Sequence, residues 1–168
     1  VERLLGFENG ILSAPTGFGK TVIGAAVIAR LKMPTLVIVP KTALVPQWKE
    51  RLSEFLDIDE ELPPLLTPTG RKSRRKRSLI GQIGGGKSER GGIVDIATFQ
   101  SLVEKDAEGC PRAKDFVKEY GLVIVDECHH GAAPQLERIL KAVNARNVYG
   151  LSATPKRADG LEGITYLI

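Results

Sequence analysis

The segment Ala14-Pro15-Thr16-Gly17-Phe18-Gly19-Lys20-Thr21 limits what this chain can fold into more than any other. It stands between a short apolar run, Gly10 to Ala14, and a stretch from Lys20 to Leu31 that is apolar nearly all round. Glycines in such a turn let backbone N–H groups point inward around an anion, and the following helix adds the positive end of its dipole. A lysine closing the turn reaches outer phosphates as a point charge, and the next hydroxyl is placed to ligate Mg²⁺. Those roles fall to Lys20 and Thr21, with Thr16, Gly17, Phe18 and Gly19 lining the cradle. Ala14 stands where the usual pattern has its first glycine; it is small enough to leave the turn feasible. A glycine-rich turn that binds nothing is the plain alternative, but it leaves Gly-Lys-Thr at a strand–helix junction unexplained.

The rest of the chain repeats the strand–helix alternation. Thr35 to Val39 is a continuous β-branched run, the mark of a strand covered on both faces. After Pro40, Thr42 is placed to cap a helix running to about Leu56, with Leu44, Val45, Trp48, Leu52 and Phe55 at helical spacing. Trp48 reads as a core residue, with a base-stacking platform as the alternative. Residues 57–78 turn from acidic to proline-rich to basic and read as a surface excursion. Leu79–Ile83 and Ile93–Ala97 are strand candidates separated by Gly-Gly-Gly-Lys-Ser-Glu-Arg-Gly-Gly, expected to be a mobile turn. Leu122–Val125 is a third buried run, followed by a helix over Pro134–Val143 and a strand over Asn147–Leu151. Such alternation implies a mainly parallel sheet with right-handed crossovers and helices on both faces. In such sheets the working loops lie at the C-terminal ends of the strands.

Composition narrows the class. Hydrophobic residues make up 42% and charged ones 26% of 168 residues, the balance of one globular domain. No apolar run reaches the roughly 18 to 20 residues of a membrane span, and a secretory leader is not expected. Cys110 and Cys128 cannot make a disulfide framework. Membrane, secreted and collagen-like classes are set aside, and a cytoplasmic place is expected. The net charge of +4 resides in Arg71–Arg77, which holds six cations; without it the rest carries 18 Lys and Arg against 20 Asp and Glu. Such a run can pair with phosphates or simply be a solvated loop.

Asp126-Glu127-Cys128-His129-His130 follows at once on Leu122–Val125. An acidic pair at a buried strand end suits phosphate chemistry: one carboxylate serves Mg²⁺ and the other orients or deprotonates a water. Asp126 is the metal-side candidate, with Thr21, and Glu127 the base; Lys20 completes the catalytic set. Zinc on Cys128, His129 and His130 is disfavoured, because adjacent residues converge poorly on one ion.

Taken together, these residues resemble the first RecA-like domain of a superfamily 2 helicase or translocase. Ala-Pro-Thr-Gly-Phe-Gly-Lys-Thr is similar to motif I and Val-Ile-Val-Asp-Glu-Cys-His-His to motif II in its Asp-Glu-Cys-His form. Ser152-Ala153-Thr154-Pro155 with Lys156 and Arg157 resembles motif III, and Val39–Leu44 with Gln47-Trp48 resembles motif Ia. Asp95–Leu102 is similar to a segment that the family lays against a nucleic-acid strand. The branch of type III restriction subunits and excision-repair helicases fits best.

The resemblance implies a P-loop, RecA-like three-layer α/β sandwich with a mainly parallel central sheet. It implies ATP and Mg²⁺ as cofactors and nucleic acid as partner, DNA rather than RNA. His129, Ser152 and Thr154 would couple the nucleotide site to the nucleic-acid groove, and Lys41, Thr98 and Gln100 would touch one strand's backbone. Thr98 and Gln100 have a plainer alternative as caps of the next helix. Residues 1–168 are expected to form one RecA-like domain of a longer protein, with a flexible basic segment near 67–78. Its partner RecA-like half would supply an arginine finger, so the isolated chain is expected to bind Mg·ATP weakly and to hydrolyse it slowly or not at all. The competing readings are a nucleic-acid-binding or regulatory module using ATP as a switch, an RNA helicase domain, and a non-motor P-loop enzyme such as a kinase, which leaves Ser-Ala-Thr-Pro unexplained.

Overall fold

A computed structural model describes residues 1–15, 17–60, 62, 78–128 and 133–153. Among these, the order is α1 (Glu2–Leu5), β1 (Asn9–Ser13), α2 (Lys20–Leu31), β2 (Thr35–Val39), α3 (Leu44–Phe55), β3 (Ile80–Gly84), β4 (Lys87–Glu89) and β5 (Val94–Thr98). There follow a 3-10 turn (Phe99–Leu102), β6 (Val103–Lys105), β7 (Pro111–Ala113), a second 3-10 turn (Asp115–Glu119), β8 (Leu122–Val125), α4 (Ala133–Ala142) and β9 (Asn147–Ser152). Seven strands form one sheet in the order β1-β9-β8-β2-β5-β3-β4, and β6 pairs with β7 in a separate antiparallel hairpin. Every pair in the large sheet is parallel except β3 with β4.

The continuous apolar runs occupy the centre because both their faces must be covered. All five residues of β2 and all four of β8 are buried. Alternation sorts their side chains: Val37, Val39, Ile96, Leu122 and Ile124 pack with Ala25, Val27 and Ile28 of α2 and Val45, Trp48 and Leu52 of α3. Leu36, Ile38, Ala97, Val123 and Val125 face Phe99, Leu102, Val117, and Leu136 and Ile139 of α4. The expected three-layer architecture is thus realised, with two cores on opposite faces of one sheet. No helix among the described residues is long and apolar enough to cross a membrane.

Two local expectations are corrected. Thr42 does not cap α3; the cap residue is Ala43, without a side-chain bond. Backbone turns do the work instead, Leu44 N donating to Lys41 O and Val45 N to Thr42 O. The glycine-rich stretch expected to be a mobile turn is a hairpin. Gly84 pairs with Lys87, leaving Gly85 and Gly86 as a two-residue loop with φ of 64° and 78°. Positive φ at both loop positions is what a type I′ turn requires and what glycine supplies without strain. The basic run Arg71–Arg77 lies outside the described residues, as do Thr16, His129, His130 and Thr154.

Candidate functional site

Because the sheet is parallel, the loops leaving β1, β9, β8, β2 and β5 open at one edge. The phosphate-loop candidate leaves β1, which sits at the rim of the sheet. Gly17 and Gly19 have φ of 82° and 86°, the left-handed conformation in which only glycine is unstrained, and Gly19 is the N-cap of α2. The loop is anchored to the end of β9 through the backbone, Ala14 N donating to Ser152 O at 2.9 Å. Phe18 stands exposed at the loop tip, while Lys20 and Thr21 are half-buried in the first turn of α2.

Lys20 reaches across the loop mouth. Its Nζ donates to Ala14 O at 3.2 Å and lies 3.8 Å from Glu127 Oε1, so the lysine of one strand tip faces the acidic pair of another. The acidic pair is built by a change of backbone direction. Asp126 N still donates to Ile38 O, continuing the β8–β2 ladder, and Glu127 then takes φ 47°. Such a conformation costs a non-glycine residue about 1–2 kcal/mol. It sends the Glu127 carboxylate toward Lys20 while Asp126 stays inward, so the two acids diverge as two separate roles require.

Asp126 is 7% exposed, and both its oxygens are occupied. Oδ1 accepts from Glu127 N at 2.9 Å and Oδ2 from Trp48 Nε1 at 2.7 Å. Burial pushes its carboxyl above the ordinary aspartate range, partly offset by the indole bond. Cys128 is buried as well, and burial lifts its thiol to about 11 while the Ser152 side chain hydrogen-bonds it. That bond links the segment after β8 to the end of β9, with Ser152 itself fully buried.

The nucleic-acid candidates lie on the neighbouring strand tips, since Val39 of β2 is in register with Thr98 of β5. Lys41 and Gln100 are exposed. Thr98 is 4% exposed, and its hydroxyl donates to Ser101 Oγ at 3.2 Å, directed into the protein; it makes no side-chain cap bond to the 3-10 turn that follows.

Two contributors escape sequence reasoning. The core position of Trp48 is legible from helical spacing, but its bond to Asp126 is not. Gly24 on α2 carries no motif signal either, yet a Cβ there would stand 2.8 Å from Trp48 Cη2. The lack of a side chain at Gly24 lets the indole lie against α2 with its N–H aimed at the carboxylate.

Comparison with known proteins agrees with this arrangement. The family described as "Type III restriction enzyme, res subunit" matches residues 2–157. The chain is 31% identical over 160 residues to the DNA 3'-5' translocase XPB2 of Sulfurisphaera tokodaii, covering 95% of this chain and 30% of that protein. It is 31% identical over 156 residues to the DNA 3'-5' helicase XPB of Kineococcus radiotolerans, covering 92% of this chain and 25% of that one. Among solved structures, the UvsW helicase of bacteriophage T4 superposes with a TM-score of 0.68 at 23% identity, over 95% of this chain and 51% of that chain. That likeness shows the RecA-like fold. The chain spans about a third or less of the length of these two curated relatives.

Proposed function

Since the chain belongs to the type III restriction enzyme res-subunit family, we propose that it is the ATP-binding domain of an ATP-dependent DNA helicase or translocase. The observation that carries this reading is the 3.8 Å approach of Lys20 Nζ to Glu127 Oε1 across the strand tips. A phosphate-binding lysine and a candidate base facing each other over a glycine-rich loop suit phosphoryl transfer to water.

The residues fit a magnesium nucleotide. Gly17 and Gly19 hold the backbone in the conformation that turns N–H groups toward phosphate, and the start of α2 adds its dipole. Lys20, engaged by a carbonyl and a distant carboxylate, can exchange them for phosphate oxygens. Mg²⁺ keeps most of its waters and leans on phosphates, so one carboxylate and one hydroxyl suffice from the protein; Asp126 and Thr21 supply them. The bound ion would neutralise charge on the transferred phosphoryl group. Glu127 orients and deprotonates the attacking water, and its left-handed backbone keeps that carboxylate apart from Asp126. Thr16 completes the cradle by resemblance.

Both curated relatives are named for DNA translocation or unwinding, which supports DNA over RNA as the partner. Lys41 and Gln100 are exposed where a strand's phosphates can reach them, giving salt-dependent and sequence-tolerant binding. Thr98 contributes by holding Ser101 and so placing Gln100. Ser152, bonded to Cys128 and to the phosphate loop, transmits the nucleotide state, with His129 and Thr154 assigned the same task by resemblance. A second RecA-like half would complete the motor and the groove, and a cytoplasmic setting suits such an enzyme. The test is a pair of variants. Lys20→Ala abolishes nucleotide binding, whereas Glu127→Gln keeps it and lowers turnover in the full motor by about 10²- to 10⁴-fold. Wild-type turnover by Glu127→Gln removes the assignment of the base.

A further inference from the structure

The sheet order divides the working edge in two. The nucleotide residues sit on the tips of β1, β9 and β8, and the proposed nucleic-acid residues on the tips of β2 and β5. One side chain crosses from the second group to the first. Trp48 rises from α3, which begins three residues after Lys41, and its Nε1 donates to Asp126 Oδ2 at 2.7 Å, 78 residues away in sequence. The ring is 2% exposed and wedged against Gly24 of α2, where no Cβ would fit without displacing it. A buried indole N–H needs an acceptor. Here the acceptor is a carboxylate at the proposed metal site, so the bond is charge-assisted and shorter than most. With Glu127 N fixing the other oxygen, the plane of the Asp126 carboxylate is set at both ends.

We propose that Trp48 is a positioning residue: through its indole N–H, α3 holds Asp126 in the orientation that receives the magnesium nucleotide. The inference rests on the nucleotide reading above and adds a specific link to it. The segment bearing Lys41 and the metal-side carboxylate are joined by one rigid side chain, so a shift of α3 on engaging a strand is felt at Asp126. Outer-shell partners of metal-ligating groups typically contribute 10- to 100-fold in metal affinity.

Trp48→Phe keeps an aromatic ring in the core and removes both the Nε1 donor and the outer reach of the indole. Binding of a fluorescent ADP analogue to the 168-residue chain is measured with Mg²⁺ and with EDTA. The expected result is unchanged affinity in EDTA and a loss of about 10-fold or more in the advantage that Mg²⁺ confers. An advantage equal to that of wild type overturns the proposal. Should the variant fail to fold, the wild-type chain gives the answer, because Trp48 is its one tryptophan. With ¹⁵N-labelled tryptophan, its single indole N–H resonance moves on saturation with Mg·ADP and stays in place with ADP in EDTA. A resonance that ignores both ligands, or answers both alike, refutes the link. A wild-type chain that takes up neither form of ADP removes the nucleotide reading itself, an outcome distinct from a lost magnesium advantage.

Discussion

Gly24→Ala is a small change with a sign that the packing decides. In a helix interior alanine is favoured over glycine by about 0.8–1 kcal/mol, so α2 alone predicts stabilisation. The neighbouring indole reverses this. The added Cβ would stand 2.8 Å from Trp48 Cη2 and 3.1 Å from Cζ3, with Ile124 Cδ1 at 3.8 Å. Ordinary carbon contacts lie near 3.5–4.0 Å, so the ring must retreat by roughly 0.7–1 Å. Its far side is tethered to Asp126 at 2.7 Å, and the residue is 2% exposed, so there is little room to retreat into. Overpacking of this kind costs about 1–3 kcal/mol, which leaves a net destabilisation of about 1 kcal/mol. In a Trp48→Phe background the offending outer ring is gone, and the same Gly24→Ala substitution should stabilise by about 0.5–1 kcal/mol. Urea unfolding of wild type, the two single variants and the double variant reads a coupling of about 2 kcal/mol between positions 24 and 48. If Gly24→Ala stabilises wild type as much as it stabilises the Trp48→Phe variant, the indole does not pack against α2 as described.

Gly81→Ala tests the opposite end of the sheet. A Cβ there would meet Asp95 Oδ1 at 1.8 Å, Glu89 O at 2.5 Å and Gly91 N at 2.6 Å, so a loss of about 3 kcal/mol or more is expected in denaturant unfolding. Cys128, buried and with its thiol lifted to about 11, should resist iodoacetamide at about pH 8 while the exposed Cys110 reacts. Intact mass then shows one adduct on the native chain and two only after denaturation. The same thiol has an alkaline consequence. Its ordinary pKa is 9.0, so between pH 9 and about 11 the unfolded chain releases a proton that the folded chain retains. Cys128 therefore lowers stability as pH rises through that window, and Cys128→Ser should flatten the decline seen in unfolding midpoints.

The parts of this molecule legible in its sequence are those whose causes are local. The runs Thr35–Val39 and Leu122–Val125 announce central strands because both faces of each must be apolar, and each is buried throughout. Gly17 and Gly19 announce a tight turn between β1 and α2 because their positive φ is a backbone requirement written at the residue itself. What escaped depends on partners distant in sequence. Asp95 looks out of place inside a strand until Gly91 N, Gly92 N and the Tyr120 hydroxyl are seen donating to its carboxylate. The hairpin over β3 and β4 was hidden because glycine suits both a mobile turn and a tight one; only the Gly84–Lys87 register decides between them. Thr42 has the right chemistry for a helix cap, but backbone bonds to Lys41 O and Thr42 O had already filled that need. At the site, the residue types at each strand tip could be read off. The indole bond that orients one of them spans 78 positions and could not.

Lys20 and the acidic pair are proposed to enclose a magnesium nucleotide at the tips of β1 and β8, and every functional assignment above depends on that enclosure. Isothermal titration of Mg·ATP into the folded chain, beside its Lys20→Ala variant, tests it most directly. Saturable one-site binding by the wild type and none by the variant is the predicted result, with both chains showing the same circular dichroism. Absence of binding by a folded wild-type chain, or equal binding by the two, would contradict it.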